Sequence, residues 1–252
     1  HGIEKRIENI MLDERKAPAR RRMAVQPGSE DHRVRVGRQR REKMRQRLLN
    51  SVMAVYPEGR GSSPTVIDDV VRHAKVSRGT FYKYFDSLDQ AVEELGSRLA
   101  AEMTQVVDVV YSQMEDAPMR TATGFQTYLL RSYMDHRWGA FLSHIGLLTG
   151  ENLTLQFILA DIELGIESGD YAVASPKIAA DLLVGAKIEA IRHIISGEAD
   201  FTYIHAMTAM VLRSFGISIS KSEKVVAAAF NILCNEGPKK IGWWQPLDGL
   251  PS

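Results

Sequence analysis

Thr65-Val-Ile-Asp-Asp-Val-Val-Arg-His-Ala-Lys-Val-Ser-Arg-Gly-Thr-Phe-Tyr-Lys-Tyr-Phe85 reads as two short helices joined by a tight turn. Thr65 is placed to cap the first helix and Ser77 the second, because a short hydroxyl side chain accepts from the unpaired amides of a first turn. Ile67, Val70, Val71 and Ala74 fall on one face of the first helix, and Val76 plugs the turn. Phe81 and Phe85, at i and i+4, pack the second helix back onto that face. This pattern fits a helix-turn-helix whose second helix enters a DNA groove, and it also fits a plain αα-hairpin with a solvated outer side. The outer side carries Arg78, Gly79, Thr80, Tyr82, Lys83 and Tyr84. Arg78 and Lys83 can donate to guanine edges or phosphates, Thr80 can touch a base, and the two phenols can reach phosphate oxygens.

Working outward, the pattern is helical nearly throughout from Gly37, with Met44, Leu48, Leu49, Val52 and Val55 returning on one face until Pro57 and Gly59. Before Gly37 the chain is basic and broken. Lys16 to Arg22 is a cationic cluster, and Gln26-Pro-Gly-Ser-Glu-Asp31 has turn chemistry without periodicity, so residues 1–36 are expected to form a flexible arm. Beyond Phe85, breaks fall at 86–87, 116–118, 150, 168–176, 197–200, 216–221 and from 237 on. No strand pattern is found, and the expected fold is all-α with about ten helices. The divisions are a three-helix helix-turn-helix domain over 37–86, a helical body over 87–236, and a tail over 237–252 that folds back through Trp243 and Trp244.

Charge divides the same way. Residues 1–85 hold 20 Lys and Arg against 10 Asp and Glu, a balance of +10, whereas 86–252 hold 12 against 21, a balance of −9. A basic end on an acidic body suits phosphate binding or a merely solvated basic end. With 44% apolar and 25% charged residues, the composition is that of an ordinary globular protein. No window approaches the roughly 18 apolar residues of a membrane span, no signal-peptide pattern is evident, and a cytoplasmic protein is expected. The lone Cys234 excludes an intrachain disulfide and a cysteine-rich metal site. No nucleophile elbow, phosphate loop or dinucleotide glycine pattern occurs, so no enzyme and no cofactor is expected. His136 and His144 lack metal-ligand spacing, and no metal is expected.

The run from Ala74-Lys-Val-Ser-Arg-Gly-Thr-Phe-Tyr-Lys-Tyr-Phe85, with Thr65 before it, resembles the recognition segment of the tetracycline-repressor-like (TetR) family of transcriptional regulators. The family's V-S-x-G-x-x-Y-x-x-F core is intact. Ile166-Glu-Ser-Gly-Asp-Tyr171 and the helix after Pro176 are similar to the family's distal I-x-x-G-x-F turn and the helix that follows it. Three positions depart from the pattern: Lys75 replaces a usual glycine, Tyr84 a frequent histidine, and Leu88 a frequent phosphate-contacting lysine.

The resemblance implies a homodimeric repressor that holds double-stranded operator DNA and is released by a small effector; an activator of the same family and a helical protein-interaction module are the alternatives. Its DNA-binding residues would be Thr65, Lys75, Ser77, Arg78, Gly79, Thr80, Tyr82, Lys83 and Tyr84. A dimer interface would use Leu182, Gly185, Ala186 and Glu189 on one helix and Met207, Met210 and Val211 on the next. Ordinary core burial explains those apolar stripes as well. An effector pocket for an apolar or amphipathic molecule is expected among Tyr128, Tyr133, Met134, Trp138, Phe141, His144, Asn152 and Gln156.

Overall fold

Basic, periodic and poor in glycine, the stretch before Pro57 forms the first helix of the computed structural model, α1 (His32–Val55). The structure describes residues 32–56, 67–111, 114–145 and 153–247. Two units divide the chain, residues 1–43 and 44–252, with the boundary inside α1. In the first unit the helix starts at His32, ahead of Gly37, and nearly every side chain from Val34 to Lys43 is exposed. An arginine-rich stretch without an apolar stripe has nothing to bury.

The second unit continues α1 from Met44 and adds α2 (Ile67–Ala74), α3 (Arg78–Tyr82), α4 (Leu88–Tyr111), α5 (Ala117–Met134) and α6 (His136–Ile145). Next come α7 (Leu153–Glu167), α8 (Pro176–Ile195), α9 (Phe201–Ser214) and α10 (Ile219–Lys240). That makes ten helices and no strand among the described residues, an all-α fold. No helix among them is long and apolar enough to cross a membrane.

Caps explain most of the starts. The Asp116, Asp200 and Ser218 side chains accept from the amides of Met119, Tyr203 and Lys221 at the heads of α5, α9 and α10. Ser87 and Gln90 form a reciprocal pair at the head of α4: Ser87 Oγ accepts from the Gln90 amide, and Gln90 Oε1 accepts from the Asp86 amide. One stop differs from the sequence reading. Helix α10 passes through Gly237 and Pro238 to Lys240, because a proline in a last turn forfeits a single backbone bond. The Trp244 ring also lies on Gly237, where a Cβ would come within 2.4 Å of it. The tail thus folds back, with the Arg131 guanidinium 4.6 Å over the Trp243 ring.

The apolar side chains form two clusters. One joins Leu48, Leu49, Val52, Val70, Val71, Ala74, Phe81, Phe85, Ala91 and Leu95 with Phe141 from α6. The other surrounds α5, which packs against α6, α7, α8, α9 and α10. Burying each Phe or Leu contributes roughly 2 to 3 kcal/mol.

A polar clamp ties α4 to the first cluster. Arg45 donates through Nε to Glu94 at 2.7 Å, pairs with Glu94 again through Nη2, and donates through Nη1 to the Tyr84 carbonyl at 3.0 Å. Arg98 Nη2 reaches the same carboxylate at 2.9 Å. The Arg45 hydrogen bond, aided by Arg98, holds the Glu94 carboxyl below the usual carboxylate range despite partial burial.

Candidate functional site

Phe81 and Phe85 are fully buried with ring centroids 5.6 Å apart, which leaves the opposite side of α3 facing solvent. Ser77 caps that helix as the sequence predicts: its Oγ accepts from the Thr80 amide at 3.1 Å and lies 3.0 Å from Thr80 Oγ1. The residue before the turn explains the family's usual glycine. Lys75 has φ 53°, and it is the one non-glycine residue with positive φ among the described residues. A lysine there costs about 1 kcal/mol of backbone strain and in return places a cation at the turn.

Lys75, Ser77, Arg78, Gly79, Tyr82 and Lys83 are exposed together, Tyr82 by 51%, and Thr80 is half-exposed. Arg78 Nε pairs with Asp68 Oδ1 of α2 at 2.9 Å, across the turn. Both groups are largely exposed, so the pair adds well under 1 kcal/mol and serves mainly to orient the guanidinium. Tyr84 differs from its neighbours: it is half-buried and packs against the first cluster, as does Leu88. Leu88 thereby supplies apolar packing where a phosphate-contacting lysine is common. Thr65 lies outside the described residues.

A second site lies in the body. A cavity of about 50 Å³, partly open to solvent, is lined by Met103 and Thr104 of α4, five residues of α5, Phe157, Ile158 and Asp161 of α7, and Leu183 and Lys187 of α8. The α5 residues are Arg120, Thr121, Gly124, Phe125 and Tyr128. Arg120 Nε donates to Asp161 Oδ1 at 2.6 Å. Burial outweighs that pairing and keeps the Asp161 carboxyl above its ordinary value.

Lys187 is 4% exposed, its Nζ 4.0 Å above the Tyr128 ring. It makes no hydrogen bond or ion pair among the described residues, and burial alone pushes its ammonium down to about 8. The ring face offsets about 1 to 2 kcal/mol of a desolvation cost that is larger.

The distal turn borders this cavity. Gly169, at φ 76°, ends α7 in the left-handed conformation, and the Tyr171 ring then folds over Gly165, where a Cβ would lie 2.1 Å from it. Tyr171 Oη donates to Thr121 Oγ1 at 2.8 Å, so the glycine-turn-aromatic pattern positions a wall residue of the cavity. Burial drives the Tyr171 phenol well above the ordinary tyrosine range.

Of the residues expected to form a pocket, Tyr128 lines this cavity. Trp138 is buried behind it, ring centroids 5.9 Å apart, and Tyr133 stacks on Phe201 at 4.8 Å. Phe141 belongs to the first cluster, facing Tyr56. His144 Nδ1 lies 2.7 Å from the Ala140 carbonyl, within its own helix. Met134 is half-buried away from the cavity, Gln156 is exposed, and Asn152 lies outside the described residues. The expectation centred on the α5 to α7 aromatics, whereas the cavity combines Phe125, Tyr128 and Phe157 with the charged Arg120, Asp161 and Lys187 of α5, α7 and α8.

The stripes on α8 and α9 divide. Ile178 (63%), Leu182 (47%) and Met210 (58%) are exposed, as are Gly185 and Glu189, and nothing lies within 4 Å of a Cβ built on Gly185. Ala186 and Met207 are half-buried against the core, and Val211 is fully buried within it. Val211 therefore belongs to the chain's own core, since a helix stripe wider than one contact face turns part of itself inward.

Residues 58–95 match the family model described as bacterial regulatory proteins, tetR family. No curated protein matches the chain. The solved structure of RolR in complex with the ligand resorcinol is similar at 20% identity, covering 75% of this chain and 96% of its own, with a TM-score of 0.53. A gamma-butyrolactone receptor described as ArpA-like is 14% identical over 77% of this chain and 98% of its own, at a TM-score of 0.55. A Shewanella sp. PV-4 protein assigned to the tetR family of transcription regulators is 18% identical over 68% and 97%, also at 0.55. At these identities the likeness is one of fold.

Proposed function

We propose that this chain, a member of the tetR family of bacterial regulatory proteins, is a repressor that binds a palindromic operator as a homodimer and leaves it when a small molecule enters the body cavity. The carrying observation is the exposed face of α3, where Arg78, Tyr82 and Lys83 stand clear of a helix pinned from behind by Phe81 and Phe85. Lys75, Arg78 and Lys83 attract phosphates and displace their counterions, while Arg78 and Thr80 are placed to touch base edges. The exposed Ile178, Leu182 and Met210, with the open Gly185 among them, support self-association through α8 and α9.

Helix α4 supports the release mechanism. It carries Met103 and Thr104 in the cavity wall and, about two and a half turns earlier, Glu94 in the clamp. Glu94 holds Arg45, and Arg45 holds the Tyr84 carbonyl just past α3. A ligand that shifts α4 therefore pulls on the recognition helix. Two such helices must sit about 34 to 36 Å apart, or a multiple of that, so a small pivot breaks register. The resorcinol named with RolR and the ligand class named for the gamma-butyrolactone receptor support a small effector here.

The test is fluorescence-anisotropy binding to DNA fragments from upstream of the gene itself, titrated with salt and competed with unrelated DNA, alongside the solution mass. A dimer whose binding survives competitor and weakens steeply with salt is expected. A monomer, or no binding to any fragment at low salt, rejects the reading and favours a protein partner.

A further inference from the structure

The body cavity contains a cation, Lys187, that no anionic group among the described residues pairs with. Arg120, the other cation in the wall, is committed to Asp161 and to the Met114 carbonyl. Lys187 carries three donors, is 4% exposed, and faces only the Tyr128 ring among the described residues. Beyond the Arg120 and Asp161 pair, the cavity lining is mostly apolar, with Met103, Phe125, Phe157, Ile158 and Leu183, and its uncharged polar side chains are Thr104, Thr121 and Tyr128. A buried ammonium with an aromatic floor and apolar walls lacks one thing, an acceptor that carries negative charge. The Arg120 and Asp161 charges cancel within their own pair, which leaves the cavity with the net positive charge of Lys187.

We infer that the cavity binds a small monocarboxylate with an apolar body, its carboxylate on the Lys187 ammonium and its ring or chain among Phe125, Tyr128, Phe157 and Leu183. This rests on the effector reading above and narrows it to a class of ligand. Neutral molecules of the same shape leave the ammonium unanswered and bind more weakly. Dianions bring a second charge into walls that have no second free cation among the described residues.

The test compares benzoate, phenylacetate and octanoate with benzamide, phenylacetamide and octanamide, by isothermal titration and thermal shift on the full chain. The variants are Lys187→Met, which keeps the length without the charge, and Lys187→Arg, which keeps the charge. At least one acid is expected to bind the unmodified chain about tenfold or more tightly than its amide. Lys187→Met erases that preference while leaving amide affinity within about twofold, and Lys187→Arg retains part of it. Equal binding of acid and amide, no binding of any acid, or a preference that survives Lys187→Met overturns the inference.

DNA anisotropy on the same preparations separates the two readings. Selective acid binding that leaves DNA affinity unchanged keeps this inference and rejects effector release. Intact DNA binding with no acid preference keeps the regulator and rejects the monocarboxylate.

Discussion

The recognition face and the body cavity are built in opposite ways. The face comes from a single run of sequence: Lys75, Ser77, Arg78 and Lys83 lie within nine positions, and a local cap and an i, i+4 aromatic pair hold the helix under them. The cavity is assembled from α4, α5, α7 and α8, so its members stand up to 84 positions apart, from Met103 to Lys187. The face leaves its charges in water, where each is cheap to keep. The cavity holds a charge out of water, where keeping it is costly unless something binds.

The sharpest way to break the contrast is to show that the face also depends on distant packing. Phe81→Ala empties a site in the cluster that also holds Leu49, Val70 and, from α6, Phe141. It should cost about 3 to 5 kcal/mol in chemical denaturation and abolish DNA binding. Phe157→Ala, at a half-buried wall of the cavity, should cost less than about 2 kcal/mol and spare DNA binding. Equal costs would mean that the two regions unfold as one and that the contrast is only topographic.

The Lys187 charge gives the next largest effect, and its sign is fixed by linkage. In the folded chain the ammonium is pushed down to about 8 from the 10.5 of an exposed lysine. Below pH 8 it is protonated in both states, and folding bears the full cost of burying it. Between about 8 and 10.5 the unfolded chain binds more protons, so stability rises with pH across that window. Lys187→Met should therefore be more stable than the unmodified chain at pH 7, by on the order of 3 kcal/mol, and should lose that advantage as pH approaches 10.5. The charged groups that share the cavity, Arg120 and Asp161, are the same in both chains. A difference that does not vary with pH would show that the ammonium reaches water or a partner.

The two regions were unequally legible for the same reason. The face could be read because its determinants are adjacent: the Ser77 cap, the Phe81 and Phe85 spacing and the glycine-like turn all fall within one window. Lys75 was visible as a departure, but its positive φ was not, since φ follows from the turn that Val76 closes against the core. In the body, the breaks at Asp116 and Asp200 fall where caps start helices, and those at Gly169 and Gly216 where left-handed residues follow their ends. The cavity did not show, because which side of an apolar helix turns toward a hollow depends on its neighbours. Aromatic richness points to Trp138 and Phe141, which are buried and serve packing. The useful signal was smaller: Lys187 interrupts the stripe Leu183, Ala190, Ile191 and Ile194, and a lysine at a core position of an otherwise apolar face is the anomaly to follow.

At the recognition face the effects are smaller and should leave stability alone. Arg78→Ala should reduce operator affinity by about 1 to 3 kcal/mol while the melting temperature and the solution mass stay unchanged. Asp68→Asn frees the same guanidinium without removing it. It should raise affinity for unrelated DNA and narrow the margin between operator and competitor, read in one competition titration. If Asp68→Asn tightens operator binding more than competitor binding, Asp68 is an electrostatic brake and does not position Arg78.

The smallest effect sets the two uses of one residue against each other. Lys75 holds a conformation that glycine adopts freely and that a side chain with a Cβ resists, yet it also adds a cation to the exposed face. Lys75→Gly should therefore stabilise the fold by about 0.5 to 1 kcal/mol, since relief of the left-handed strain exceeds the extra entropy of an unfolded glycine. The same substitution should lower the salt dependence of DNA binding by about one phosphate contact. Lys75→Ala separates the terms, because it keeps the strain and removes the charge: its salt slope should match Lys75→Gly while its stability matches the unmodified chain. A salt slope unchanged in both variants would place Lys75 away from the phosphates and reduce its role to that of a strained turn.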